Sequence, residues 1–168
     1  MIHLLRTIHI VGGVLWVGGV FFMAAFLLPS ARAIGPAAGP MMVQFTQVRQ
    51  VPRWLLILGF LTIAAGLWLY MLASASAPGW MASGQARVYG VGAVLAIIAW
   101  FVGMTMSMPL ARRVGAFSAR IAASGAPPTS DEVAQIAAMQ ARLGTLATIV
   151  ATLLILATAT MAVARYVT

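Results

Sequence analysis

One histidine inside a long apolar stretch is the residue best suited to chemistry in this chain. The stretch spans residues 8–28, and the histidine is His9. On an α-helix with 100° between successive residues, His9 shares one face with three glycines, a tryptophan, a valine and a methionine. We call this surface the His9 face, and it consists of His9, Gly12, Gly13, Trp16, Gly19, Val20 and Met23. We interpret it as a groove beside an imidazole, with room for a flat or metallic ligand.

Haem b is the ligand that this pattern favours. Neutral imidazole is the common axial ligand of haem iron, and glycines one turn away remove side chains that would obstruct a porphyrin. The predicted cofactor-binding residues on this helix are therefore His9, Gly12, Gly13 and Trp16. Two alternatives stay open: His9 can bond to a carbonyl of a neighbouring helix, and glycines also permit close helix packing.

Further candidates are expected at the level of His9. Arg6, Arg87 and Arg165 can pair with haem propionates or anchor their helices at the interface, and Tyr89 can bond to a ligand or join an aromatic belt. The predicted second metal ligand is Met161. Another possibility is His9 of a second protomer in a homo-oligomer.

Copper is an alternative to haem. Thioethers suit Cu(I), and the run M-T-M-S-M contains Met104, Met106 and Met108. Together with His3 and His9 these residues could handle copper. Flexible filling of apolar space is the competing explanation for the methionines.

Composition predicts an integral membrane protein. The chain has 168 residues, is 62% hydrophobic and only 7% charged, and has a mean hydropathy of +1.01. Its ten basic residues are all arginines, Asp131 and Glu132 are the two acids, and cysteine is absent. Disulfides, thiolate sites and paired-carboxylate catalysis are therefore excluded. Because the arginines lie between apolar segments, we expect them to set topology and to bind no nucleic acid.

The predicted fold is all-α, with four transmembrane helices in a single membrane domain, 1–168. The four apolar segments are long enough to cross a bilayer, and they span residues 8–28, 54–73, 88–108 and 143–164. Seven arginines lie in the 29–53 and 109–142 connections and three lie elsewhere. The positive-inside rule then predicts cytoplasmic connections and both termini outside. Residues 74–86 are expected to form an external loop.

An internal repeat is expected at a spacing of 80 residues. The residues Pro29-x-Ala31-Arg32 match Pro109-x-Ala111-Arg112, and His9 corresponds to Tyr89. The predicted repeats cover about 1–75 and 86–168. They would form two αα-hairpins related by a pseudo-twofold axis along the membrane normal, with helical extensions on the cytoplasmic side. Thr129 and Glu132 predict a capping box before the fourth span.

The first span resembles the opening helix of a known superfamily. Its sequence L-L-R-T-I-H-I-V-G-G-V-L-W-V-G-G is similar to that of copper-resistance protein D-like (CopD-like) and HemJ-type protoporphyrinogen oxidase membrane proteins, and L-G-F-L-T-I-A-A-G-L-W-L-Y (58–70) resembles their second helix. The resemblance implies haem b with His9 as ligand in one branch, copper handling in the other, and a prokaryotic cytoplasmic membrane. The chain departs from the HemJ type, which uses a lysine after the second span, because it contains no lysine.

We therefore predict an integral membrane protein that binds haem b near its outer face. Its expected activity is electron transfer or redox chemistry, with a quinone or a partner oxidoreductase, and an enzymatic activity would be that of a membrane haem oxidoreductase. The alternatives are a copper-handling protein and a cofactor-free accessory subunit of a larger membrane complex.

Overall fold

Helices account for nearly all of the chain. The structure, a computed structural model, describes residues 1–167 apart from the side chain of Pro36. The α-helices are α1 (Ile2–Phe22), α2 (Leu28–Ile34), α3 (Gly39–Val43), α4 (Val51–Ser76), α5 (Gly84–Val102), α6 (Met108–Ala123) and α7 (Ser130–Ala164). Within residues 1–167 there is no β-strand. The all-α prediction is confirmed.

Four of the continuous helical stretches are long and apolar enough to cross a membrane. They are Ile2–Ile34, Val51–Ser76, Gly84–Ala123 and Ser130–Ala164. Each contains one of the apolar segments predicted from the sequence. Large apolar side chains on their outer surfaces are more than half exposed, among them Val14, Phe22, Phe60, Trp68 and Phe101. Such a surface is suited to lipid, since exposing it to water would be unfavourable.

Two prolines explain why two of these helices widen without ending. A proline ring clashes with the carbonyl four residues earlier and supplies no N–H. Just before Pro29 the helix forms a π-helical turn, Met23–Leu27, and just before Pro109 it forms another, Gly103–Ser107. Each turn takes up the disturbance, so α1 continues into α2 and α5 continues into α6.

The four long helices pack as a bundle of two close pairs. α1 packs along α4, and α5 packs along α7; α1 also contacts α7, and α4 also contacts α5. The core between them is built of small and branched apolar side chains around one tryptophan: Trp16, Val20, Ala96, Ala99, Val150, Ala151, Leu154 and Ala157. Small residues allow the helices to approach closely, as expected for a membrane bundle.

The long connections meet at one end of the bundle. α3 and the π-helical turn Gln44–Val48 both pack against α6. Arg32 donates a 2.7 Å hydrogen bond to the Gln140 carbonyl of α7. The capping box at Thr129 and Glu132 is confirmed, because the threonine hydroxyl accepts from the Glu132 N–H and the glutamate accepts from the Thr129 N–H.

The connection at the opposite end is shorter than predicted. α4 extends to Ser76 and α5 begins at Gly84, so only part of the 74–86 segment is loop. Tyr70 explains the compact turn: its ring lies 4.9 Å from that of Trp80, and its hydroxyl donates to the Ala86 carbonyl over 3.3 Å.

Candidate functional site

His9 lies between α1 and α4 and is half-buried. Its Nδ1 is 2.8 Å from the carbonyl oxygen of Thr62. A carbonyl can only accept, so Nδ1 carries the proton in the neutral ring and Nε2 keeps its lone pair. Nε2 takes part in no hydrogen bond with the residues that the structure describes. Ligating histidines commonly have this arrangement, with one nitrogen bonded to a carbonyl and the other free for a metal.

Gly66 provides the space in which the imidazole lies. A Cβ atom at Gly66 would be 2.6 Å from Cε1 and 2.8 Å from Nδ1 of His9, closer than real contacts allow. Thr62 and Gly66 are one helical turn apart, so a single face of α4 supplies both the hydrogen-bond acceptor and the space. Neither residue is among those predicted for the site, although their small-x-x-x-small spacing is typical of close helix contacts in membranes.

The glycines of the His9 face contact α4. A Cβ at Gly12 would lie 2.8 Å from Thr62 Oγ1, and one at Gly13 would lie 3.5 Å from Thr62 Cγ2. Farther along, a Cβ at Gly19 would lie 2.7 Å from Leu55 Cδ2. The groove predicted from these residues is therefore occupied by a neighbouring helix, and in this structure its glycines serve close packing.

Thr62 itself has an unusual feature. Its side chain is 7% exposed, and its hydroxyl has no hydrogen-bond partner among the described residues. Threonines in apolar helices usually bond to their own backbone. Thr148 and Thr158 do so, each donating to the carbonyl four residues earlier. The orphaned hydroxyl of Thr62 lies in the same α1–α4 contact as the imidazole.

Trp16 follows His9 along α1 and is buried in the interior of the bundle. It is 3% exposed, and a Cβ at Gly59 would come within 2.6 Å of its ring and 2.7 Å of the Trp100 ring. Trp100 Nε1 donates a 2.8 Å hydrogen bond to the Leu56 carbonyl. The two indoles thus lie against a glycine of α4 and fill the space at mid-span.

The other predicted binding residues make mostly local contacts. Arg87 donates to the Ala82 carbonyl over 3.1 Å, and the Arg165 guanidinium lies 5.1 Å from the Tyr166 ring centre. Arg6 is exposed and Tyr89 is half-buried. None of the contacts described for Arg6, Arg87 and Arg165 is a contact with His9.

Met161 is half-buried at the contact between α5 and α7. A Cβ at Gly92 would lie 2.9 Å from Met161 Cγ and 2.7 Å from Thr160 Oγ1. The contact between Gly92 and Thr160 parallels the one between Gly12 and Thr62 in the other helix pair.

The residues considered for copper are not gathered into a cluster. His3 is exposed at the start of α1, whereas His9 is half-buried. Met104 and Met106 are exposed on the turn Gly103–Ser107, near the opposite end of the bundle. Residues 1–167 contain no group of three or more His, Cys, Asp or Glu side chains that could hold a metal ion.

Two cavities open at the end where the long connections meet. The smaller, about 40 Å³, lies between α2, α3, α6 and α7. The larger, about 530 Å³, lies between residues 46–53 and α6.

Comparison of the chain with protein-family models, with curated protein sequences and with solved structures finds no match.

Proposed function

We propose that the protein is a multi-pass membrane protein that binds haem b through Nε2 of His9 and acts in electron transfer or redox chemistry. The observation that carries this proposal is the hydrogen bond between His9 Nδ1 and the Thr62 carbonyl. It fixes the tautomer with a free Nε2 lone pair and orients the ring, as the second shell of a metal-binding histidine does. Haem b would supply a one-electron iron couple at this site.

The chain's own residues have distinct tasks in this proposal. Gly66 and Thr62 hold the imidazole, so the ring cannot rotate freely about its side-chain bonds. Arg6, Arg87 and Arg165 would provide positive charge for propionates, and both acidic side chains of the chain lie away from them, at the start of α7. Tyr89 would contact the cofactor, and the thioether of Met161 would be available as a second ligand to the iron.

We further infer that the protein lies in a prokaryotic cytoplasmic membrane with both termini outside. The arginine distribution supports this orientation: seven of ten lie in the connections that meet at one end of the bundle. His9 is then near the outer face. A quinone or a redox protein on that side, or a second copy of the chain, would be the partner in electron transfer.

A duplicated architecture is part of the same proposal. The repeats, about 1–75 and 86–168, would form two αα-hairpins related by a pseudo-twofold axis along the membrane normal, with helical extensions on the cytoplasmic side. The π-helical turns Met23–Leu27 and Gly103–Ser107 support it, because they are 80 residues apart, like the prolines that follow them.

A cofactor-free bundle is the second candidate. The close fit of the His9 ring against Gly66 is also what a packing histidine would show. In that case the protein would be an accessory subunit of a larger membrane complex, and the bond to Thr62 would only satisfy the imidazole. The resemblance to CopD-like and HemJ-type proteins favours the cofactor-binding candidate.

The visible spectrum of the detergent-purified protein separates the two candidates. Haem binding predicts a Soret band that is lost in His9→Ala and kept in His3→Ala, which removes the other imidazole from an exposed position. A colourless wild-type protein that stays colourless when produced with excess haem contradicts the haem proposal and supports the accessory subunit. A colourless protein with stoichiometric copper would support copper handling instead.

A further inference from the structure

The cleft between residues 46–53 and α6 has the composition of an anion site. We call it the α6 cleft; its volume is about 530 Å³. Arg53 lies on one wall and Arg112 on the other. Arg53 donates to the Gln50 side chain over 3.1 Å, which holds its guanidinium beside the cleft. The two walls therefore present positive charge to a shared space.

No acidic side chain among the described residues neutralises these charges. Asp131 and Glu132 are the only acidic side chains, and both lie in the first turn of α7 rather than in the lining of the α6 cleft. Glu132 is already committed to the N–H and hydroxyl of Thr129. Two arginines without an acidic partner favour an external anion, and a guanidinium matches the geometry of phosphate oxygens.

Apart from Arg112, the α6 wall of the cleft is apolar. It consists of Met108, Ala111, Ala116 and Ala119, whereas the facing wall carries the polar side chains of Thr46, Gln47 and Gln50. A Cβ at Gly115 would lie 2.7 Å from the amide nitrogen of Gln47, so this glycine allows the segment that contains Gln47 to pack closely against α6. A phosphate beside the arginines would thus have an apolar surface next to it, which suits an amphipathic ligand rather than a small hydrated ion.

The position of the cleft along the bundle indicates a lipid. Arg53 is in the first turn of the membrane-length helix α4, and the exposed Trp54 follows it, as is typical at the border between headgroups and hydrocarbon. Arg112 lies shortly after the apolar part of the helix Gly84–Ala123. Basic pockets between helices at this level bind anionic headgroups. We propose that the α6 cleft binds the phosphate group of an anionic phospholipid through Arg53 and Arg112.

A pair of double variants tests this site against general surface charge. Arg53→Gln/Arg112→Gln removes both cleft arginines, and Arg49→Gln/Arg113→Gln removes two neighbouring exposed arginines that do not line the cleft. The assay is binding of phosphatidylglycerol to the full-length protein in neutral-detergent micelles, measured by native mass spectrometry. At about fivefold per arginine near a headgroup, we expect the cleft variant to bind about 30-fold more weakly. The control is expected to retain wild-type affinity, and equal losses in the two variants would overturn the proposal.

Two further experiments test the shape of the site and whether the bound phosphate belongs to a lipid. Ala119→Trp fills the cleft with all charges intact and should weaken binding, whereas Ala122→Trp, on α6 but outside the lining, should not. Millimolar inorganic phosphate should leave lipid binding unchanged. Full displacement by phosphate would overturn the lipid assignment in favour of a soluble anion. Lipid binding is measured whether or not the protein contains haem, so its outcome is independent of the proposed function.

Discussion

The contact between His9 and Gly66 leads to a quantitative prediction for Gly66→Ala. The new methyl group would lie 2.6 Å from Cε1, whereas ordinary contacts begin at 3.4 Å, so the ring must move by about 0.8 Å or the helices must separate. A ring shift of this size lengthens the 2.8 Å bond to Thr62 beyond the usual hydrogen-bond range. Overpacking costs about 1–3 kcal/mol, and the lost hydrogen bond costs about 1 kcal/mol. We expect a total loss of about 2–4 kcal/mol.

The assay is a double-mutant cycle on the free energy of unfolding in mixed micelles. In a His9→Ala background the obstacle is gone, so Gly66→Ala should cost nothing or stabilise by about 0.5–1 kcal/mol through helix propensity. Gly18→Ala is the matched control, because a Cβ there meets nothing within 4 Å. If Gly66→Ala destabilised the protein equally with and without the imidazole, the contact between the His9 ring and Gly66 would be refuted.

Two further substitutions test the packing around the site, and a third tests the cap of α7. Thr62→Val removes a buried hydroxyl without a described partner, so it should be neutral or stabilise by about 1 kcal/mol in the same assay; a loss above 1 kcal/mol would reveal a bond for that hydroxyl. Gly59→Ala forces a methyl group within 2.8 Å of Trp16 and Trp100, so it should cost about 3 kcal/mol and shift tryptophan fluorescence, and unchanged stability and emission would contradict this contact. Thr129→Ala removes the capping box and should cost about 1 kcal/mol, with Thr129→Ser retaining stability; equal stability of the two variants would argue against the cap.

The membrane-spanning segments and the cap of α7 could be predicted from the sequence because their signals are local. Apolar length predicted four membrane helices, and the T-x-x-E pattern predicted the start of α7. The π-helical turns before Pro29 and Pro109 have an equally local cause, because a proline ring clashes with the carbonyl of the preceding turn.

The partner of the His9 face was not accessible from the sequence. Periodicity places His9, Gly12 and Trp16 on one side of a helix, but it cannot tell whether that side meets a ligand or another helix. The answer depends on the register between α1 and α4, which sets Thr62 opposite Gly12 and Gly66 opposite His9. Register is a property of two segments, and only the three-dimensional arrangement contains it.

Titration of the purified apo-protein with haem tests most directly whether His9 is the iron ligand. We expect saturation at one haem per chain in the wild-type protein and in the Gly18→Ala control, and no saturable binding in His9→Ala. Identical titrations of the wild-type and His9→Ala proteins would contradict this expectation, because the iron ligand would then not be His9.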